Sequence, residues 1–426
     1  MRLRGPEAGY YWFLLFLLAL VLFPLGVGRV YSIFYLNIGT QALILGLFAL
    51  SVDILMGYTG LVPLGPAAFF GLGAYAGAIT LLRLGNSIWL VLLISLALSA
   101  VVALIIGYFI IRAKGVYFAF LTLAFAGMFY ELAFRWQSFT GGSDGLTGVP
   151  DPAIGIPPYT ISLGNPYAFF YFTLAVVTLV YYLCVRLVNS PFGQVLRAIK
   201  DNEERVEFLG YNVRFFKLRA FVVSGIVGGL SGALFANLRF IDPIVFHWFT
   251  SAESLVMVLL GGMGTLYGPI IGAVAYLLSR DVISSYTGYW RLILGLIFVG
   301  FVIFFPQGIV GLFRFLRARL IPLLVRSPKE RKREKANVRL QITVKEVEGD
   351  CPFYRQGDSF SIIGSHRSRL ELERSPGCAH AQASLMSYCS DLLKGAKRGE
   401  YVQCSGECGG AESKGRVTFV IGGEGG

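Results

Sequence analysis

Long apolar segments with almost no charge fill the first 310 residues and constrain the fold more than any other feature. A helix needs about 20 such residues to cross the hydrocarbon core of a bilayer. Windows of this kind occupy 11–28, 36–57, 67–82, 88–111, 116–134, 167–188 and 220–238, and shorter ones occupy 251–262, 269–278 and 292–305. We expect about ten spans, with eight as the alternative. The basic start before residue 11 leaves a signal peptide open, although no small-residue cleavage site follows.

Charge divides the chain into two parts of different composition. Residues 1–310 hold 17 Lys or Arg and 12 Asp or Glu, whereas 311–426 hold 20 and 13. The first part has too little polar surface to cover a water-soluble globule. The prediction is an all-α polytopic membrane protein, with some helices broken, and a small soluble α+β C-terminal domain. We place the membrane domain at 1–310, a polybasic linker at 311–339 and the C-terminal domain at 340–426.

Basic residues in the connections predict the orientation. They concentrate before the first window, after 111, in 189–219 and after 310, whereas 135–166 has a single Arg and no Lys. Because Lys and Arg favour cytoplasmic loops, ten crossings place both termini in the cytoplasm of a cell-membrane protein. The linker would also be attracted to the anionic lipid of the bilayer.

Residues 189–219 form the longest of the basic connections. Ser190 and Pro191 are typical of a helix start, and Gly210 of a helix end. Glu203 and Glu207 lie four residues apart, on one face of a helix between these points. Such a helix could dock a soluble partner, or it could be a solvated amphipathic loop.

The stretch from Ser190, SPFGQVLRAIKDNEERVEFLGYNVRFFKLRAFVVSG, resembles the cytoplasmic loop of permease subunits of branched-chain amino acid ABC importers, of the LivM type. Further segments resemble that family in the same order: 57–78, 114–128, 140–150, 261–273 and 304–313. The resemblance covers about residues 10–315.

This resemblance implies a second permease subunit, cytoplasmic ABC ATPases and an extracytoplasmic substrate-binding protein as partners. It also implies that Glu203, Glu207, Leu209 and Gly210 dock into the ATPase. The chain departs from the family at 204–206, where Glu, Arg and Val replace small alanines. No GxxxxGK[ST] motif occurs in the chain, so ATP hydrolysis is expected from another polypeptide. We expect neither catalysis nor a cofactor in this subunit.

Glycine and proline break the helical pattern twice. The first break, 57–66, contains Gly60, Pro63 and Gly65, and the second contains Gly261, Gly262 and Gly264. A broken backbone at membrane depth must be covered by protein or border a water-filled cavity. The six residues are candidates for the substrate pathway, with close helix packing as the alternative.

Few ionisable residues fall within the apolar windows. Asp53 lies near the inner end of the second window, and Glu131 and Arg135 have the spacing of an ion pair on one helix face. His247 is expected in an outer loop. A proton relay is therefore disfavoured.

The C-terminal part predicts strands around 340–350, 362–363 and 417–421, and a helix at 379–393. It loosely resembles a small uncharacterised domain with a Cys-Pro step, here Cys351-Pro352. Cys378, His380, Cys404 and Cys408 are the candidates for a zinc site, against redox-active or simply buried thiols.

Three functions remain to be weighed: an importer permease for a hydrophobic amino acid, an ion-coupled secondary transporter, and a membrane-anchored sensor acting through its tail. Nucleic-acid binding is disfavoured because the basic run adjoins a span and lacks interleaved aromatic residues.

Overall fold

The computed structural model describes residues 33–156, 159–238, 240–304, 308–311, 338–348, 355–364, 371–373, 401–407 and 414–423. The chain divides into two compact units, Met1–Leu316 and Arg317–Gly426. The expected span at 11–28 and residues 312–337 of the linker predicted at 311–339 lie outside the described residues.

The first unit is a helical bundle. Its helices are α1 (Ile33–Tyr58), α2 (Ala67–Arg83), α3 (Ile88–Ile110), α4 (Val116–Arg135), α5 (Pro166–Asn189), α6 (Pro191–Asp201), α7 (Glu203–Phe208), α8 (Val213–Phe235), α9 (Trp248–Gly261), α10 (Tyr267–Tyr286) and α11 (Trp290–Phe304). Single turns of helix at Gln137–Thr140, Gly142–Asp144, Ala236–Leu238 and Pro243–Phe246 connect some of them.

Five of the described helices are long and apolar enough to cross a membrane: α1, α3, α4, α5 and α8. Shorter apolar helices lie at Ala67–Arg83, Trp248–Gly261 and Trp290–Phe301. The apolar windows predicted these helices to within a few residues, except that α8 begins earlier and α10 extends further. The protein is thus a polytopic membrane protein, and ten crossings stay a prediction.

Glycines allow the helices at the centre of the bundle to approach very closely. A Cβ on Gly73 of α2 would overlap the carbonyl oxygen of Gly229 in α8, and one on Gly232 would overlap that of Phe70. Small residues at such crossings permit the backbone contact by which helices associate in lipid. These glycines therefore serve close helix packing.

Serine hydroxyls add hydrogen bonds across the same interfaces. Ser224 and Ser231 of α8 donate to the carbonyl oxygens of Ser51 and Ile44 in α1, at 2.7 and 2.6 Å. Ser95 of α3 donates to the carbonyl of Gly73 at 3.1 Å. Helix α1 is the most buried of the five candidate spans, and it contacts α5, α8 and α10.

Short strands lie in the connections of the first unit. Strand β1 (Leu146–Thr147) pairs with β4 (Phe240–Ile241), and β2 (Ala153–Ile156) pairs with β3 (Tyr159–Ser162). Strands β1, β2 and β3 follow α4 in the sequence, and β4 follows α8. Both pairs are antiparallel.

The second unit contains a five-stranded antiparallel sheet in the order β7-β6-β5-β9-β8. Its strands are β5 (Val338–Glu348), β6 (Ser359–Gly364), β7 (Glu371–Glu373), β8 (Tyr401–Glu407) and β9 (Lys414–Gly423). The strands predicted around 340–350, 362–363 and 417–421 are present as β5, β6 and β9. The helix expected at 379–393 lies outside the described residues.

Candidate functional site

The two glycine-rich breaks in the helical pattern contact each other. Helix α1 ends at Tyr58, as the glycines and prolines after it predicted, and α9 ends at Gly261 before a tight connection to α10. A Cβ on Gly57 would lie 2.7 Å from the backbone nitrogen of Gly264, so the close approach requires glycine. Sequences about 200 residues apart thus form one site, here called the junction (residues 53–58 and 261–266).

A buried carboxylate holds the junction together. Asp53 is 0% exposed, and its Oδ1 and Oδ2 accept the backbone N–H groups of Gly264 and Leu266 at 2.6 and 3.3 Å. The Tyr58 hydroxyl donates to the carbonyl oxygen of Gly264 at 2.9 Å. Hydrogen bonds to a charged group contribute more than neutral ones, so Asp53 is the main polar contact between α1 and the α9–α10 connection.

Leu266 adopts a backbone conformation that is rare for a leucine. Its φ of 56° and ψ of −48° form a γ-turn, in which the N–H of Tyr267 donates to the carbonyl of Thr265 at 2.7 Å. It is the one non-glycine residue with positive φ in the described part of the chain. Such a turn costs on the order of 1–3 kcal/mol and persists only where its surroundings hold it. Here the Asp53 carboxylate accepts the N–H of the strained residue.

The six residues predicted for the substrate pathway do not form a single cluster; they contact different parts of the bundle. Gly65 packs so closely on α4 that a Cβ would overlap the Thr122 carbonyl oxygen, and Pro63 and Gly65 line a small pocket with Thr122. Gly60 lies against the side chain of Lys200. Of the other three, Gly261 is the last residue of α9, and Gly262 and Gly264 lie in the α9–α10 connection.

The segment after α5 folds into two short helices, whereas the sequence indicated one. Ser190 precedes Pro191 at the start of α6, as expected. The break between α6 and α7 falls at Asn202, whose side-chain oxygen accepts the N–H of Arg205 and caps α7. Asparagine favours this capping position, which explains why the helix restarts there.

Gly210 ends α7 as its position predicted. Its φ is +86°, its N–H donates to the carbonyl of Glu207, and the N–H of Tyr211 donates to that of Val206. These two bonds make a Schellman motif, in which glycine is favoured at the left-handed position. The turn leaves Phe208 and Leu209 exposed at its tip, 90% and 71% respectively.

The base of α7 is fixed by an ion pair that the sequence reading missed. Lys217 of α8 is buried, and its ammonium lies 2.6 Å from the carboxylate of Glu203. Lys114 lies 3.9 Å from the same carboxylate. Glu203 therefore faces the protein, whereas Glu207 is exposed.

Helix α6 is attached to the end of α1 by two basic residues. Lys200 donates to the carbonyl oxygen of Gly57 at 2.7 Å. The Arg197 guanidinium lies 5.7 Å from the ring centre of Tyr58 and donates to the carbonyl of Val188. The carbonyls of the last helical turn lack intrahelical partners, so a cation is favourable there.

Other predicted positions fall outside this site. The Glu131–Arg135 ion pair is confirmed at 2.9 Å on the exposed face of α4. His247 precedes α9 and accepts the N–H of Phe249. Of the zinc candidates, Cys404 lies on β8 opposite Val417, and the remaining three, Cys378, His380 and Cys408, lie outside the described residues together with Cys351.

Comparison with known proteins identifies the family. The family model described as "Branched-chain amino acid transport system / permease component" matches residues 34–305, more than half of the chain. The chain belongs to this permease family. The match confirms the resemblance read from the sequence motifs, and it places the subunit among transport permeases.

Individual relatives agree with the family. The LivM high-affinity branched-chain amino acid permease protein of Escherichia coli K12 is 29% identical over 70% of this chain and 75% of its own length. A probable LivM protein of Methanocaldococcus jannaschii is 24% identical over 49% of this chain and 61% of its own. The autoinducer 2 permease protein LsrC of Yersinia pseudotuberculosis is 28% identical over 35% of this chain and 46% of its own. No solved structure matches the chain significantly.

Proposed function

We propose that the chain is the membrane-spanning permease subunit of an ATP-driven importer for branched-chain or other hydrophobic amino acids. A separate cytoplasmic ABC ATPase would drive it through residues 189–219. A second permease subunit would complete the pathway, and an extracytoplasmic binding protein would deliver the substrate. The observation that carries the proposal is the exposed tip of α7 within a chain of this family.

The tip has the properties of a docking surface. Phe208 and Leu209 expose apolar area with the carboxylate of Glu207 beside them. The Lys217–Glu203 pair and the Gly210 turn fix the shape from which they project. We assign contact with the ATPase to Glu207, Phe208 and Leu209, and assign to Glu203 and Gly210 the positioning of that contact.

The distribution of basic residues supports a cytoplasmic position for this surface and for both termini. The junction would then lie at the cytoplasmic end of α1, because Lys200 contacts Gly57 directly. Non-helical backbone within a membrane domain must be covered by protein or border a water-filled cavity. We therefore retain Gly60, Pro63, Gly65, Gly261, Gly262 and Gly264 as pathway candidates.

Ion-coupled transport and sensing are weaker alternatives. An ion-coupled carrier is expected to place several ionisable groups at membrane depth, and few such residues fall within the apolar windows of this sequence. If the protein were a sensor acting through its tail, deletion of the tail would abolish its function. We expect removal of 340–426 to preserve basal uptake.

The test is capture of the ATPase by the tagged full-length chain from its native membrane, followed by identification of the bound proteins. The Leu209→Asp variant should lose most of the captured ATPase, because a charge replaces an exposed apolar contact. Leu84→Asp is the matched control, since Leu84 is a similarly exposed leucine, 64%, in the connection after α2. Equal capture by the wild-type chain and the Leu209→Asp variant would refute docking at this tip.

A further inference from the structure

Lys200 links the segment proposed to contact the ATPase with the break in the first half of the membrane domain. It lies in the last turn of α6 and donates to the carbonyl oxygen of Gly57, 143 residues away in sequence, at 2.7 Å. Its side chain also lies against Gly60, where an added Cβ would be 3.2 Å from the Lys200 Cγ. A displacement of α6 must therefore move this end of α1 or break the hydrogen bond.

The end of α1 is in turn in contact with the second break. Gly57 lies so close to Gly264 that no side chain fits between them. Asp53 and Tyr58, one turn before and one residue after Gly57, hold the N–H and the carbonyl of Gly264. Because of these three contacts, the backbone at Gly264 must follow any movement of this end of α1.

The second break contains a segment that can change conformation. Leu266 is held at positive φ, and its N–H is bonded to Asp53. A residue in a sparsely populated conformation stays there only while its neighbours hold it. Loss of the Asp53 contact would let the α9–α10 connection adopt another backbone conformation.

We propose that Lys200 is a positioning residue that transmits the movement of α6 to the α9–α10 connection through Gly57 and Gly264, with Asp53 holding the connection in the state seen here. The inference rests on the proposed function, because it needs an ATPase that moves α6. It assigns Lys200 and Asp53 to the coupling of ATP hydrolysis to uptake rather than to substrate contact.

The test uses the complete transporter, reconstituted with its ATPases and second permease in proteoliposomes, with uptake and ATP hydrolysis measured together. Lys200→Met should leave ATPase binding intact and lower the amount of substrate taken up per ATP hydrolysed. We expect a reduction of about 5-fold or more, because energetic coupling between two distinct sites is typically at least this large. Lys200→Arg should restore most of the ratio, because arginine also donates to a carbonyl. Arg112→Met, at an exposed arginine in the turn after α3 and outside residues 189–219, is the control and should match the wild type.

A wild-type ratio in Lys200→Met would overturn the inference while leaving the proposed function intact. Absence of ATP-dependent uptake in the wild-type assembly would refute the proposed function itself. Hydrogen exchange of residues 262–267 in the wild-type assembly gives a second measurement that needs no variant. We expect ATP to change the exchange rate of the Gly264 and Leu266 amides, and an unchanged rate would also overturn the inference.

Discussion

The Asp53 carboxylate accepts the backbone N–H of Gly264 at 2.6 Å, although the two residues are 211 positions apart. This bond joins the first break in the helical pattern to the second. It explains why an acidic residue is buried in an apolar helix: its charge is satisfied by two backbone donors at a strained turn.

Asp53→Asn should destabilise the bundle, because the amide keeps one acceptor oxygen but directs an N–H₂ group at a backbone donor. We expect a loss of about 1.5–3 kcal/mol, the range for hydrogen bonds to charged groups. Denaturant titration of the purified protein in detergent measures it. Asp201→Asn, at an exposed aspartate of α6, is the control and should change stability little. Equal stability of the two variants would contradict the role given to Asp53.

Gly73→Ala should disrupt the crossing of α2 and α8, since the added methyl group would overlap the Gly229 carbonyl oxygen. Overpacking at a tight contact costs about 1–3 kcal/mol. Gly127→Ala is the matched control in α4, because no atom lies within 4 Å of its added Cβ. Thermal unfolding should separate the variants, with the control unchanged or slightly more stable. A control as unstable as Gly73→Ala would show that close packing is not the cause.

Sequence reasoning located the elements of the fold but not the contacts between them. Apolar windows were enough to place the spanning helices, because lipid requires a continuous run of apolar residues. Proline and glycine marked the break after Tyr58, since neither supports a helix there. The γ-turn at Leu266 leaves no mark in sequence, because leucine favours helices and the turn is imposed by Asp53 from another helix.

The cytoplasmic segment predicted at 189–219 was likewise predicted in its local structure but not in its contacts. Its start at Pro191 and its end at Gly210 follow from local backbone preferences, and both were predicted. The pairing of Glu203 with Lys217 was missed, because it depends on the tertiary position of α8. The signal that could have indicated it is a lysine placed just before the apolar window 220–238. Lys200 gives no such signal, because its acceptor is a backbone carbonyl.

Gly210→Ala should loosen the end of α7. The added Cβ meets no atom within 4 Å, so the cost comes from the backbone alone and should be about 1 kcal/mol. Faster hydrogen exchange of residues 203–211 is the expected result. Gly210→Asn should exchange more slowly than the alanine variant, because asparagine tolerates the left-handed conformation. The reverse order would contradict the role of the turn.

Lys217→Met should release the base of α7 by removing the buried partner of Glu203. The partial exposure of Glu203, 29% for its side chain, reduces the cost of the unpaired carboxylate, and we expect a loss of about 1–3 kcal/mol. Arg135→Met breaks an exposed pair and should cost no more than about 0.5 kcal/mol. Denaturant titration of both variants checks the difference. Similar losses would show that the Lys217–Glu203 pair does not hold the segment.

The most direct measurement places a photoreactive benzoyl-phenylalanine at position 208 of the full-length chain in cells. The aromatic side chain there is 90% exposed, so the replacement keeps the surface nearly unchanged. Irradiation is predicted to give a covalent product with an ABC ATPase on the cytoplasmic side. A product with an extracytoplasmic protein, or labelling of this position from outside intact cells, would contradict the account.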